Sequence, residues 1–519
     1  MLAVKIDNLN IFLKRNADFA LAGNRDTRQL IGFLLVYWLA WTITVAILSE
    51  SIVLDSVEQV IWSQTWQWGY YKHPPLPSIL MAGLNWLLNG PSIGLTIFAA
   101  QGCTVIALIY VWRLARKMLP LHLAITAVLL TSLIGYHNYK PTSFDHNTVS
   151  LPFSAAVLYY FYRAIHEPQR ILNWLTLGLV AGLAMLTKYS ALLVIAGPFV
   201  YLIWQNIWSN PFIIRGLFIS ASIFTLVLFP HVLWLSHHNW LPFSYFYGEL
   251  NLLNSRFDIL GRFFIGQMLP FLPFFIGFFW IRKLSVKQSM PTEVLYINHR
   301  DSDWRFLMAT LITPNLLALL PTLLNGSFLS RDWVSAFFLP SGILIVKCFF
   351  DKYNHQRILA NTRHIVWSCQ ITILLLFAIG KIIYPKVAGL DVRTNFPGKL
   401  LAERVSEIWQ QHQGQPLNIV IADTWLAGNL LLHTRPEPTA LLNNDLSIST
   451  WLTQQDLKNC GAMVLTTIET RDSSNYSEVF NHAMAAGSFS LLWGNLPHDY
   501  AWAILSPESD AKNCRLNHG

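Results

Sequence analysis

The chain has 519 residues, 53% of them hydrophobic and only 12% charged, where soluble domains carry roughly a quarter charged residues. That balance excludes a soluble globular protein. The net charge of +8 does not point to nucleic acid either, because lysine and arginine collect in the short loops between apolar runs rather than along one stripe.

Apolar runs of about 18 residues or more recur along most of the chain, each long enough to span a bilayer. The sequence therefore reads as a polytopic α-helical membrane protein. Its first run begins only near Leu30, behind a segment of mixed charge, which reads as a signal anchor rather than a cleaved signal peptide. About 11 transmembrane helices are predicted, over 30–49, 92–111, 121–136, 148–162, 172–187, 191–208, 212–235, 263–281, 306–324, 333–349 and 365–384. Arg25, Arg28, Arg113, Arg116, Lys117, Arg163, Arg170, Arg215, Arg282, Lys283, Lys347 and Arg357 then fall on one side, which the positive-inside rule makes cytoplasmic. The opposite loops carry only Lys72, Lys140, Lys188, Arg256, Arg262 and Arg331. An odd number of spans puts the N-terminus in the cytoplasm and the C-terminal region outside.

After Tyr384 the composition changes. "PLNIVIAD" and "GAMVLTTI" read as buried strands, and "GKLLAERVSEIWQQH" has helical periodicity. Two domains are expected: a membrane domain over 1–388, with a long first outer loop at 50–91, and a C-terminal periplasmic α/β domain over 389–519. Cys103, Cys348 and Cys369 lie in or beside spans as small hydrophobes. Cys460 and Cys514 lie in the outer domain; an oxidising compartment would let them pair, and two unpaired thiols are the equal alternative.

The centres of the predicted spans contain almost no ionisable residue, His231 near an outer end being the nearest exception. Ion-coupled transporters place charge near the midplane. Here polar groups gather in the outer loops, so chemistry at the outer membrane surface is expected. The first loop carries Asp55 and Glu58, then "IWSQTWQWGYYKHPPL". Residues 56–68 read as a short amphipathic helix lying on the membrane, with Val57, Val60, Ile61 and Trp68 on one face. Asp55 is either a solvated or capping acid, or a general base for an incoming hydroxyl. A proline pair cannot sit in a helix interior, so Tyr71, Lys72, His73, Pro74 and Pro75 form an ordered turn at the membrane rim. The second loop, "YHNYKPTSFDHNT", places Lys140, Asp145 and His146 before the next span. Asp145 can cap that helix, orient a substrate or join a metal site. Lys188 in "LTKYS" either snorkels to the interface or faces a lipid phosphate, and Arg256, Arg262 and Arg331 have the same choice.

"DSVE" followed by "YYKHPPL" resembles the first outer loop of bacterial glycosyltransferase family 39, the dolichyl-phosphate-mannose-protein mannosyltransferase-like membrane proteins. The wider group includes lipid A aminoarabinose transferases. The resemblance continues in order through "PTSFDHNTVSLPFSAAVLYYFYRA", "GLAMLTKYSALLVIAGPFVYLI", "FPHVLWLSHHNWLPFSYF" and "RDWVSAFFLPSGIL", covering roughly 30–350. It implies a C-class glycosyltransferase fold in the bacterial inner membrane. It also implies an inverting transfer of a sugar from a polyprenyl-phosphate donor to a lipid (lipid A-like), glycan or protein acceptor at the outer face. By position, Asp55 matches the catalytic acid, His73, Pro74 and Pro75 the His-Pro-Pro turn, Asp145 the second-loop acid, and Lys188 the lysine of an "SKY"-like element. Lys188, His73 and the arginines 256, 262 and 331 are expected at the donor phosphate. Glu58, Tyr71, Lys72, Pro74, Pro75, Asp145 and His146 are expected to line the substrate site. Two departures stand out: "FDHN" replaces a "PDAP"-like element, and Lys72-His73 stand where the aminoarabinose branch has an acid and a lysine. They argue against aminoarabinose as the sugar and leave a divalent metal open. The alternative is a lipid or polysaccharide transporter with an outer sensor domain, which would need charge at the midplane.

Overall fold

The computed structural model describes residues 2–250, 256–285, 300–325, 331–350, 353–507 and Cys514, with side chains described from residue 24 onward and not for 248–258, 300, 325 or 331. Every predicted apolar segment falls on a helix. Among the described residues six helices are long and apolar enough to cross a membrane: Asn24–Leu48, Ile93–Met118, Pro211–His237, Ile259–Leu284, Asp301–Leu324 and His355–Val387. Two bent pairs, Leu121–Thr131 with Gly135–Thr142 (96°) and Asp332–Phe338 with Ser341–Phe349 (43°), raise the number to eight. Length and apolarity alone therefore do not reach the expected eleven. Ile171–Thr187 and Ala191–Gln205 have 17 and 15 residues, about 26 and 22 Å of helix against a hydrocarbon core of about 30 Å. His146–His166 begins and ends on histidine and carries Arg163.

The sharper bend needs partners for its non-helical backbone, since buried amides and carbonyls without partners are costly. Asn138 supplies them, its Nδ2 donating to the Ser132 carbonyl (3.0 Å) and to Gln370 Oε1 (2.8 Å). Gln370 Nε2 also donates to the Ser132 carbonyl, at 3.1 Å. The His137 ring lies 3.3 and 3.2 Å from the carbonyls of Thr131 and Ser335. This closed network turns the chain back so that residues 140–145 form the second outer loop.

The outer domain is built on a five-stranded mixed sheet. Its strands are β1 (Ile419–Ala422), β2 (Thr439–Leu442), β3 (Ala462–Thr467), β4 (Ala485–Trp493) and β5 (Leu496–Leu505), in the order β2-β1-β3-β5-β4. The first three are parallel and the last two join antiparallel. β1 is buried at every position, as a short apolar run covered on both faces must be. β4 and β5 form a hairpin across Gly494-Asn495, with Gly494 at φ 62°, a conformation that glycine adopts without penalty. Cys460 and Cys514 form a disulfide at the far face of the sheet.

The near face of the sheet is shared with the first outer loop. Ile52, Val57, Val60, Ile61, Trp62 and Tyr70 belong to one core with Leu401, Val405, Leu426, Leu430, Val420 and Met463. This corrects one expectation. The loop helix runs from Leu54 to Trp62 and is buried against protein from Ser56 onward, rather than lying on lipid. Val57, Val60 and Ile61 do share its apolar face, whereas Trp68 lies beyond the helix and is exposed.

Candidate active site

Asp55 stands in the first turn of helix Leu54–Trp62, where the exposed amide groups of a helix start favour a carboxylate. It is exposed, and among the described residues its side chain holds no hydrogen bond. The neighbouring Ser56 clamps the second outer loop to the first. Its hydroxyl accepts from the Phe144 amide at 2.8 Å and lies 3.2 Å from the Ser143 hydroxyl. Asp145 follows directly and caps helix His146–His166 by accepting from the Thr148 amide at 2.9 Å. Burial, then the charge of Asp55, lifts the Asp145 carboxyl to about 6, against the pull of the Thr148 amide and Lys188. The two acids thus feel each other across one site.

Lys188 closes helix Ile171–Thr187 as its C-terminal cap, where a cation meets the negative end of the helix dipole. Its Nζ donates to Asn147 Oδ1 and sits 5.6 Å from the centre of the Trp333 ring. Burial lowers its ammonium to about 8, and Asp145, Asp332 and Asp55 oppose that fall. Lys140 pairs with Asp332 at 2.8 Å on the same side. Three carboxylates therefore surround a lysine whose charge is only partly compensated.

The proline turn has a packed floor. Tyr70 and His73 close it through reciprocal backbone hydrogen bonds of 3.1 and 3.2 Å. Pro75 then starts helix Leu76–Leu87. Trp62 stacks on Tyr70 with ring centres 4.9 Å apart, and the Tyr70 hydroxyl lies 2.7 Å from the Trp62 carbonyl. The rings of His73 and His146 meet at 3.8 Å. Gln59 joins them, its Nε2 3.4 Å from His146 Nδ1 while its Oε1 accepts from Ser78 at 2.9 Å. Burial, then the charges of Lys188 and Lys72, pushes His73 down to about 3. That shift favours the uncharged ring over the imidazolium at this position.

Lys72 reaches back to Glu58 at 2.8 Å and lies 5.1 and 5.3 Å from the ring centres of Tyr71 and Tyr245. Burial pulls its ammonium down, but attraction to Glu58 and the phenols outweighs this and holds it protonated. Burial lifts Glu58 to about 7 although Lys72 draws it down. Lys72→Met leaves that carboxyl with no counterion in a site that water hardly reaches. The fold must then keep Glu58 protonated as pH rises, so the lost stability grows with pH. The unfolding temperature of Lys72→Met is expected to fall below that of the parent at pH 8 by clearly more than at pH 6. An equal fall at both would show that the pair contributes packing alone.

Residues 72–234 match the family described as dolichyl-phosphate-mannose-protein mannosyltransferase, a segment that takes in the His-Pro-Pro turn, Asp145 and Lys188 and begins after Asp55. The lipopolysaccharide core galacturonosyltransferase RgtA of Rhizobium johnstonii is 22% identical over 437 residues, covering 80% of this chain and 83% of its own. RgtB of the same organism, also described as a lipopolysaccharide core galacturonosyltransferase, is 26% identical over 41% of this chain and 43% of its own. Crystal structures of ArnT from Cupriavidus metallidurans, one bound to undecaprenyl phosphate and one in the apo state, share the fold. They superpose with a TM-score of 0.60 at 11% identity, covering 92% of this chain and 97% and 98% of theirs. The chain therefore has the fold of those structures, a helical membrane domain carrying a small outer sheet domain.

Around the matched segment, the structure gathers Asp55, Glu58, Tyr71, Lys72, His73, Asp145, His146 and Lys188, with Pro74 and Pro75 buried beneath the turn. Asp145 and His146 diverge, the acid toward Lys188 and the ring toward His73. Arg262 lies exposed on helix Arg256–Leu284. The side chains of Arg256 and Arg331 lie outside the described residues. Among the described residues no three His, Cys, Asp or Glu side chains are grouped to hold a metal ion. Asn147, Asp332 and Trp333 had no place in the sequence reading, although Asn147 adjoins Asp145 and His146, and Asp332 and Trp333 follow Arg331. His231, the outlier among the spans, anchors the tryptophan loop: its ring bonds the Trp68 carbonyl and lies 3.0 Å from the Tyr189 hydroxyl.

Proposed function

We propose that the protein transfers a sugar from a polyprenyl phosphate to a hydroxyl of a saccharide-bearing lipid at the outer face of the bacterial inner membrane. The observation that carries this reading is an exposed carboxylate, Asp55, whose side chain holds no hydrogen bond among the described residues and which shares one site with the part-buried cation Lys188. Asp55 takes the proton of the acceptor hydroxyl as its oxygen attacks the anomeric carbon. The bond from that carbon to the phosphate oxygen breaks, its electron pair leaves on the phosphate, and the anomeric configuration inverts. Lys188 meets the charge that develops on the departing phosphate, in a site where water screens little. Lys140 stands close by, held by Asp332, and His73 supplies a neutral hydrogen-bond donor. Asp145 and Asn147 keep Lys188 aimed.

The undecaprenyl phosphate bound to ArnT supports a polyprenyl-phosphate donor, and the names of RgtA and RgtB make galacturonic acid the first sugar to test and the lipopolysaccharide core the first acceptor. In this reading the N-terminus is cytoplasmic and the outer domain periplasmic, where the Cys460–Cys514 disulfide persists. Mass spectrometry of lipopolysaccharide and surface glycans from a deletion strain is expected to show a saccharide lipid lacking one sugar, restored by the intact gene. Unchanged glycolipids in the deletion strain would rule this acceptor class out.

A further inference from the structure

The helix that carries Asp55 has only nine residues, and Ser56 to Trp62 are all buried. A helix this short has no stable orientation of its own, so its direction is set by what it packs on. That partner is helix Thr424–His433 of the outer domain. A Cβ added at Gly428 would lie 1.9 Å from Val57 Cγ1 and 3.2 Å from the Val57 carbonyl oxygen, so glycine is required there to let the two helices approach. Val57 follows Asp55 by two positions, about 200° around the helix. The face pressed on Gly428 is thus the one opposite Asp55.

Neighbouring bonds fix the rest of the loop to the same domain. The Ser51 hydroxyl donates to Asn429 Oδ1 at 2.6 Å, Gln64 Nε2 to the Pro438 carbonyl at 2.8 Å, and Arg435 to the Pro91 carbonyl at 2.8 Å. Asp423 fixes the start of helix Thr424–His433 by accepting from the amides of Trp425 (2.7 Å) and Leu426 (3.0 Å). The loop is therefore held near its start, in its middle and at its end by a domain that lies outside the family 39 match.

We propose that Gly428 is a positioning residue. The close seating of Val57 on it sets how far Asp55 stands from Lys188, so that the outer domain governs the transfer step without touching the substrate. The inference rests on Asp55 being the acceptor base. In membranes of the deletion strain, which hold the native donor and acceptor, Gly428→Ala is expected to transfer at least tenfold more slowly than the parent. On the purified full chain, its affinity for undecaprenyl phosphate is expected to stay within twofold, because the Lys188 side of the site is untouched. Removing the opposing methyls in Gly428→Ala/Val57→Ala is expected to return transfer to within threefold of the parent. A general loss of folding would move affinity as well and would not be rescued by a second truncation. Should Gly428→Ala fail to accumulate, Val57→Ile presses the same contact from the other side and carries the same expectation. Parental transfer by whichever crowded variant is folded, or a loss that the double variant does not restore, overturns the proposal. Asp55→Asn separates the two ideas: if it still transfers, the base assignment has failed; if it is silent while Gly428→Ala is parental, only the positioning role has failed.

Discussion

Asp55→Asn is expected to lower transfer by about a thousandfold, within the ~10²–10⁴ that a positioned general base supplies, and to leave the chain folded and inserted. The substitution keeps shape and hydrogen-bonding capacity and removes the negative charge and with it the ability to take a proton. Asp55 is exposed and bonds no neighbour among the described residues, so its loss leaves no hole and strands no buried partner. Surface changes of that kind stay within about 0.5 kcal/mol. The same exchange at a packed acid would confound chemistry with folding, and Asp55 avoids this. Binding of undecaprenyl phosphate is expected to hold or strengthen slightly, because a negative charge near Lys188 has been removed. Transfer in membranes at a tenth of the parental rate or better would mean that another group takes the acceptor proton.

The positions of Asp55 and Lys188 at helix ends are legible in the sequence because each sits where an apolar run ends, and the reason for a charge at such a point is local. The His-Pro-Pro turn was legible because proline forbids the alternative. What covers a hydrophobic helix face is not local. Val57, Val60 and Ile61 make the same stripe whether lipid or protein lies against it, and only the fold reveals Gly428 on the other side. The same holds for charge state. Burial, then the charges of Lys188 and Lys72, pushes His73 down, and the His146 and Trp62 rings that pack around it are not encoded by any spacing rule near residue 73. Lys140 and Asp332 are 192 positions apart, and their pairing follows from the bend at Ser132 to Asn138 rather than from either sequence neighbourhood. Length and apolarity do not settle the span number for a related reason. Helices of 15 and 17 residues can be mostly apolar without reaching span length, because protein covers part of their surface.

Lys188→Met is expected to reduce transfer by ~10²-fold or more and to weaken undecaprenyl phosphate binding, because the substitution keeps the stem and removes the charge that meets the leaving phosphate. The pH dependence makes the assignment specific. Burial lowers the Lys188 ammonium to about 8, so the cation is present below that pH and is lost as pH rises through it. The free enzyme's ionisations govern kcat/KM. Its value for the donor is therefore expected to fall above pH 8, by about a factor of ten per pH unit. Lys188→Arg keeps its charge throughout that range, and its profile is expected to stay flat where the parent declines. Its maximum is nevertheless lower, because a planar guanidinium does not reproduce the seat between Asn147 and Trp333. A parent profile that is flat to pH 10, or an arginine variant that keeps the alkaline decline, would assign that limb to another group. The variant pair thus separates the charge of the lysine, which arginine preserves, from its fit, which arginine does not.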